Sequence, residues 1–167
     1  MLRSEAGFTL VELIIVIAII SVVIVIAVPN IVVWRQNAEI RGAARDVYSY
    51  FQKAKIEAIK RKTFCTITFS QEGFVIYADS DKDLVQDGGE YVIAGISLSD
   101  YGGVSLDTSQ GNGDGLTFSN PNNGIAFSSS GIPRSSGGFG SGSVYLKHNN
   151  NKTARVIVSS SGNIRIE

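Results

Sequence analysis

Only one cysteine, Cys65, and one histidine, His148, occur among the 167 residues. The lone cysteine excludes an intrachain disulfide. It sits in "TFCTITFS", where strand alternation puts Cys65, Ile67 and Phe69 on one face, so it reads as a small buried hydrophobe. His148 lies in the polar stretch "KHNNN" and reads as a solvated loop residue. With no histidine pair, no activated cysteine and no acids clustered on apolar strands, no catalytic set assembles, and no cofactor is implied. Prolines number three. The most informative shortage is local. From Leu13 to Trp34, 22 residues pass without a single Asp, Glu, Lys, Arg or His.

As a helix, 22 residues cover about 33 Å at ~1.5 Å per residue, close to the ~30 Å hydrocarbon core of a bilayer. A strand of that length is implausible, and lipid forces the backbone to satisfy its own hydrogen bonds as helix. A cleaved secretory peptide is excluded by the length of the run and by the lack of a small-residue cleavage site soon after it. The run is read as a membrane anchor. Pro29, near its far end, removes one backbone bond and predicts a kink or a locally meltable stretch around Ala27–Asn30. Beyond it, Ile40, Ala43, Ala44, Val47, Phe51, Ala54 and Ala58 recur at three- and four-residue steps, one apolar stripe on a helix that otherwise carries Arg and Lys. One long helix from about Phe8 to Lys62 is predicted. Its first half is apolar all round; its second half is amphipathic.

From Thr63 the pattern changes to short β-like runs: "TFCTITFS", "GFVIYA", "YVIAGISL", "GVSL", "LTFS", "GIAFS", "SVYLKH", "ARVIVSS" and "NIRIE". Turn residues separate them, as in an antiparallel sheet with one face covered, and the Ile40–Ala58 stripe supplies the cover. The fold class is therefore α+β. Asp107–Asp114 and Pro133–Gly142 are Gly/Ser-rich and read as exposed loops. Four segments follow: 1–7, 8–34, 35–62 and a β-rich head at 63–167. Net charge is zero but blocked: +5 over 35–62, −8 over 63–133 and +4 over 134–167. Opposed blocks point to electrostatic contacts within the protein or between copies.

In "DSDKDLVQD", Asp79, Asp81, Asp83 and Asp87, with Glu90 nearby, could offer oxygen ligands to calcium. Leu84 stands where such a loop needs glycine and no glutamate stands at the twelfth position, so a solvated acidic hairpin is the preferred reading. "GGFGSG" lacks the lysine of a phosphate loop, and no helix pattern follows it. Asn151-Lys152-Thr153 is a sequon of a length that arises by chance. Arg155 and Arg165, with Lys147 and Lys152, are the candidates for nucleic-acid binding, but only Tyr145 interleaves with them as a stacking residue.

"GFTLVELIIVIAII" resembles the N-terminus of type IV prepilins and type II secretion pseudopilins. The resemblance implies a short leader ending at Gly7, cleavage after it by a membrane peptidase, and methylation of the new terminus at Phe8. It matches Glu12 to the family's glutamate, which neutralises the terminal amine of a neighbouring subunit, and Pro29 to the helix-softening proline. An acid at the mouth of an apolar run is thereby explained: it costs several kcal/mol in apolar surroundings alone and is satisfied in the polymer. "AARDVYSYFQKAKIEAIKRKTFCTITF", "GIAFSSSGIPRSSGGFGSGSVYL" and "ARVIVSSSGNIRI" resemble H-type minor pseudopilins and related minor type IV pilins. The expected function is that of a minor pilin or pseudopilin in a bacterial pilus or secretion pseudopilus, its head outside the inner membrane and its partners other pilins. A DNA-capturing minor pilin is the alternative. Basic residues flanking the span (Arg3 before it; Arg35, Arg41 and Arg45 after it) would by the positive-inside rule place the head in the cytoplasm instead.

Overall fold

The structure, a computed structural model, describes residues 7–118 and 123–167. The leader expected over 1–7, except Gly7, lies outside the described residues. The chain divides into two compact units, Met1–Arg35 and Gln36–Glu167. Helix α1 runs from Leu10 to Arg61. In the first unit its large apolar side chains are exposed on every face. Ala27–Asn30 is helical, with Pro29 inside α1. Asn30 Nδ2 donates to the carbonyl of Ile26 at 3.3 Å, and Ser21 Oγ to that of Ile17 at 2.7 Å.

In the second unit, α1 buries Ile40, Ala43, Ala44, Val47, Phe51, Ala54 and Ala58, the stripe read from the sequence. Four of the seven are alanines, which let a helix approach a sheet closely. The helix stops at Lys62, which takes the left-handed φ of 56° usually given to glycine after a helix end.

Among the described residues ten strands follow: β1 (Phe64–Ser70), β2 (Gly73–Asp79), β3 (Tyr91–Ser97), β4 (Val104–Leu106), β5 (Gly124–Phe127), β6 (Pro133–Ser135), β7 (Gly138–Phe139), β8 (Gly142–His148), β9 (Thr153–Val158) and β10 (Ile164–Ile166). They form two antiparallel sheets instead of the single sheet expected. The larger has the order β3-β2-β1-β5-β6-β7 and the smaller β10-β9-β8-β4. Both deliver side chains to one core. Cys65, Ile67 and Phe69 of β1 and Phe74 and Ile76 of β2 meet Val144, Leu146, Val156, Val158 and Ile164 of the smaller sheet across the α1 stripe. Phe51, fully buried, sits at its centre, with ring centroids 5.9 Å from Phe69, 6.2 Å from Phe118 and 6.4 Å from Phe127. Gly73 opens β2 where any Cβ would stand 1.9 Å from the carbonyl oxygen of Ile96, so only glycine fits.

Three sequence expectations need correction. Pro133–Gly142 is not an exposed loop: it holds the β6–β7 hairpin at one margin of the larger sheet, with the Arg134 guanidinium 4.8 Å from the Phe139 ring centroid. Its glycines and serines satisfy their backbone in a ladder, which composition does not register. The "LTFS" run is not a strand. Leu116 makes an isolated bridge to Val144, and Ser119 lies outside the described residues. His148 is buried rather than solvated, at 3 % exposure. Asn150 N–H donates to its Nδ1 at 3.2 Å, so Nε2 carries the proton and faces Glu39 Oε2 (3.1 Å) and the Gly102 carbonyl (2.9 Å). Asn150 Nδ2 adds a bond to Gln36 Oε1 at 2.9 Å. The β8–β9 turn is thus fastened to the first turns of α1 in this unit by polar contacts between residues far apart in sequence.

Candidate functional site

The N-terminal motif is built around a helix cap. Thr9 precedes α1, and Glu12 N–H donates to Thr9 Oγ1 at 3.2 Å. Thr9 N–H and Oγ1–H both donate to Glu12 Oε2 at 3.1 Å. The reciprocal bonds make a capping box, satisfying first-turn donors that have no helical carbonyl before them in the chain. The spacing in "TLVE" carried this signal, which the reading of Glu12 as an isolated acid overlooked. Gly7 has open space around it, and Phe8 is 80 % exposed. The Gly7–Phe8 bond is therefore accessible, just before the start of α1.

The acidic segment divides into a buried and an exposed part. Asp79 is fully buried: Oδ2 accepts Thr66 Oγ1–H (2.8 Å) and Leu84 N–H (3.1 Å), and Oδ1 accepts Lys82 N–H (2.6 Å). Burial raises its pKa above the usual carboxylate range, and these bonds oppose the rise. Asp79 is therefore no solvated hairpin residue; it anchors the loop that places Leu84 over the outer face of the larger sheet. Asp81 and Asp83 are exposed, with carboxylate oxygens that lie with Asp79's within 4.8 Å of one another; Asp87 is outside that group. Asp83 Oδ1 accepts Val85 N–H at 2.7 Å, and Glu90 accepts Ser80 and Asp87 N–H. Asp79, Asp83 and Glu90 thus serve the loop's own backbone.

Arg155 and Arg165 stand together on the outer face of the smaller sheet, and both are engaged. Arg155 donates to Ser143 Oγ from Nε (3.1 Å) and Nη2 (3.0 Å), stacks 4.9 Å from the Tyr145 centroid, and lies 3.6 Å from Glu167 Oε2. Arg165 Nη2 pairs with Glu167 Oε1 at 2.9 Å. One carboxylate is shared by two guanidiniums, and the Tyr145 ring beside them is covered by one of them. This arrangement does not favour DNA. Cys65 is fully buried, and burial pushes its thiol up to about 11, far from a reactive thiolate.

Two family profiles match the sequence in tandem. "Prokaryotic N-terminal methylation motif" covers residues 2–28, and "Type II transport protein GspH" covers residues 43–162. No curated protein matches. Among solved structures, the chain is similar to the minor pseudopilin EpsH from the type 2 secretion system of Vibrio cholerae, with TM-score 0.55 and 15% identity over 77% of this chain and 96% of that one. It is also similar to the Pseudomonas aeruginosa type IV minor pilin FimU, with TM-score 0.49 and 12% identity over 80% and 92% of the two chains.

Proposed function

The chain belongs to the GspH family of type II transport proteins and is a pilus or pseudopilus subunit; from this premise we propose how it enters its filament. A prepilin peptidase cuts after Gly7 and the new amine at Phe8 is methylated. The segment from Phe8 to Trp34 anchors the chain in the inner membrane and then passes into the filament, with the head outside the cytoplasm. The observation that carries this reading is the exposure of an apolar helix on all its faces, Leu10 through Trp34, behind a capped and accessible start. Such a surface is at equilibrium only in lipid or against other apolar helices.

Glu12 is the address in this scheme. In the single chain its carboxylate rests on Thr9. In the filament it pairs with the amine of a neighbouring subunit, which offers a charge where the cap offers dipoles. Orientation follows the cleavage motif rather than the count of flanking bases, because the peptidase must find the leader on one fixed side. Mass spectrometry of assembled protein should find a chain beginning at N-methylated Phe8. An intact Met1 in filaments would sink the reading. A reporter enzyme active only outside the cytoplasm, fused after Glu167, should be active, whereas a silent fusion would reverse the topology. Glu12→Ala should insert into membranes as well as the wild type and enter filaments less.

A further inference from the structure

The second unit carries an open groove of about 560 Å³ between α1 and the margin of the smaller sheet. Its walls bring cations from two elements: Arg41 and Arg45 from α1, and Lys152 from the turn before β9. Arg41, Arg45 and Lys152 are exposed, and among the described residues none of them has an ion pair. The floor is apolar, with Ile40, Ala154 and Ile166. β10 borders it and pairs only with β9. Arg155 and Glu167 exchange both backbone bonds (2.9 and 2.8 Å), so antiparallel alternation turns the N–H and C=O of Ile166 away from β9, onto the open margin. Glu167 also lines the groove, but its carboxylate is held by Arg155 and Arg165, so backbone donors and acceptors, apolar floor and an excess of positive charge occur together here.

The same chain carries the complement. Asp81, Asp83 and Asp87 are exposed on the loop before β3, and the one base among them, Lys82, lies with its ammonium 5.4 Å from the Phe64 ring centroid. β3 continues that loop as the open margin of the larger sheet, with Tyr91 61 % and Val92 46 % exposed. We propose that the groove is an intersubunit socket and that its occupant is the acidic rim, residues 80–92, of a second copy of this chain. The inference rests on the filament-subunit reading and names a contact within it. Socket and rim are different surfaces, so their union is heterologous: it leaves a free socket at one end and a free rim at the other, and extends rather than closes. A phosphate or lipid headgroup would use the cations but not the strand margin or the apolar floor. An extended acidic chain segment uses all three.

The test uses the full chain in detergent micelles, with Cys65→Ser to leave no native thiol. Thr153→Cys, in the groove, and Ser80→Cys, on the rim, are placed in differently tagged chains and joined with a short bis-maleimide. The mixed pair should cross-link about tenfold more than Thr153→Cys with itself, and the yield should fall severalfold between roughly 0.05 and 0.5 M salt. Arg41→Glu with Arg45→Glu in the groove chain should remove the excess. Adding Asp81→Lys and Asp87→Lys to the rim chain should restore it. Equal yields from mixed and like pairs, or loss without rescue by the reversed rim, would overturn the proposal. So would protection of the groove thiol by phosphatidylglycerol micelles irrespective of the rim, which would give the groove to lipid. Filaments that begin at Phe8 and contain the chain, alongside a negative cross-link, would leave the filament reading standing and this contact refuted.

Discussion

The two parts of α1 are equally helical and differ in what they leave uncovered. Before Arg35 the apolar side chains point in every direction and the chain covers none of them. After Gln36 one apolar stripe has all seven of its members buried, and of the helix's large aliphatic side chains off it only Ile56 and Ile59 are exposed. Length and period therefore name the solvent each part is made for. A helix apolar all round requires a medium the chain does not supply, while a striped one requires a single partner surface, here two sheets meeting at Phe51.

The comparison would break most visibly at Phe51. Phe51→Ala opens the centre of the aromatic cluster and should destabilise the head by about 3–5 kcal/mol. Ile20→Ala, in the uncovered part, should leave head unfolding unchanged. Urea titration of the full chain in detergent, followed by strand circular dichroism, reads both; equal effects would mean that the parts are not distinct. A lysine scan sharpens the same contrast. Ile24→Lys should weaken membrane insertion by about 2.5–3.5 kcal/mol without unfolding the head. Val47→Lys should unfold the head and leave the chain membrane-bound, as alkaline extraction and limited proteolysis would show.

A smaller effect belongs to the cap. Thr9→Val removes an N-cap worth roughly 0.5–2 kcal/mol, so the first turn should fray while the rest of α1 persists. Amide exchange at residues 10–13 in micelles should quicken, and unchanged protection would show the cap to be dispensable. The smallest effect is a pH slope from Asp79. Its folded pKa lies above the ordinary carboxylate value because burial disfavours the charge. The unfolded chain therefore loses its proton first as pH rises from about 4, and folding becomes less favourable until the folded pKa is passed. Relative to Asp79→Asn, which does not titrate, wild-type stability should decline over that window and level off above it. A relative rise would reverse the assignment.

The sequence revealed what repeats and concealed what is paired at long range. Leu13–Trp34, the Ile40–Ala58 stripe and most strand runs were legible because periodicity is a local property. The second sheet was not, because nothing local distinguishes a strand that joins β1 from one that joins β9. His148 was misread since its asparagine neighbours argue for solvent, while the groups that bury it, Glu39 and Gly102, lie 109 and 46 residues away. The β6–β7 hairpin was missed for a related reason: glycine and serine mark turns, and a two-residue strand is too short to alternate. At the candidate site, the cleavage motif and Glu12 stood out as an anomaly in charge. The capping role of Thr9 needed only the T-x-x-E spacing. The sharing of Glu167 between Arg155 and Arg165 needed the pairing of β9 with β10.

The core that covers the stripe has a consequence in time. The core that holds the stripe also contains Val156, Val158 and Ile164, which are made 98 to 106 residues after Ala58. At a translation rate of ~5–20 residues per second, the stripe waits roughly 5–20 s for them after Ala58 has been made. During that interval the anchor is ready for lipid while its neighbouring stripe is still bare. That interval is a window in which another apolar helix competes with β9 and β10 for the same seven side chains.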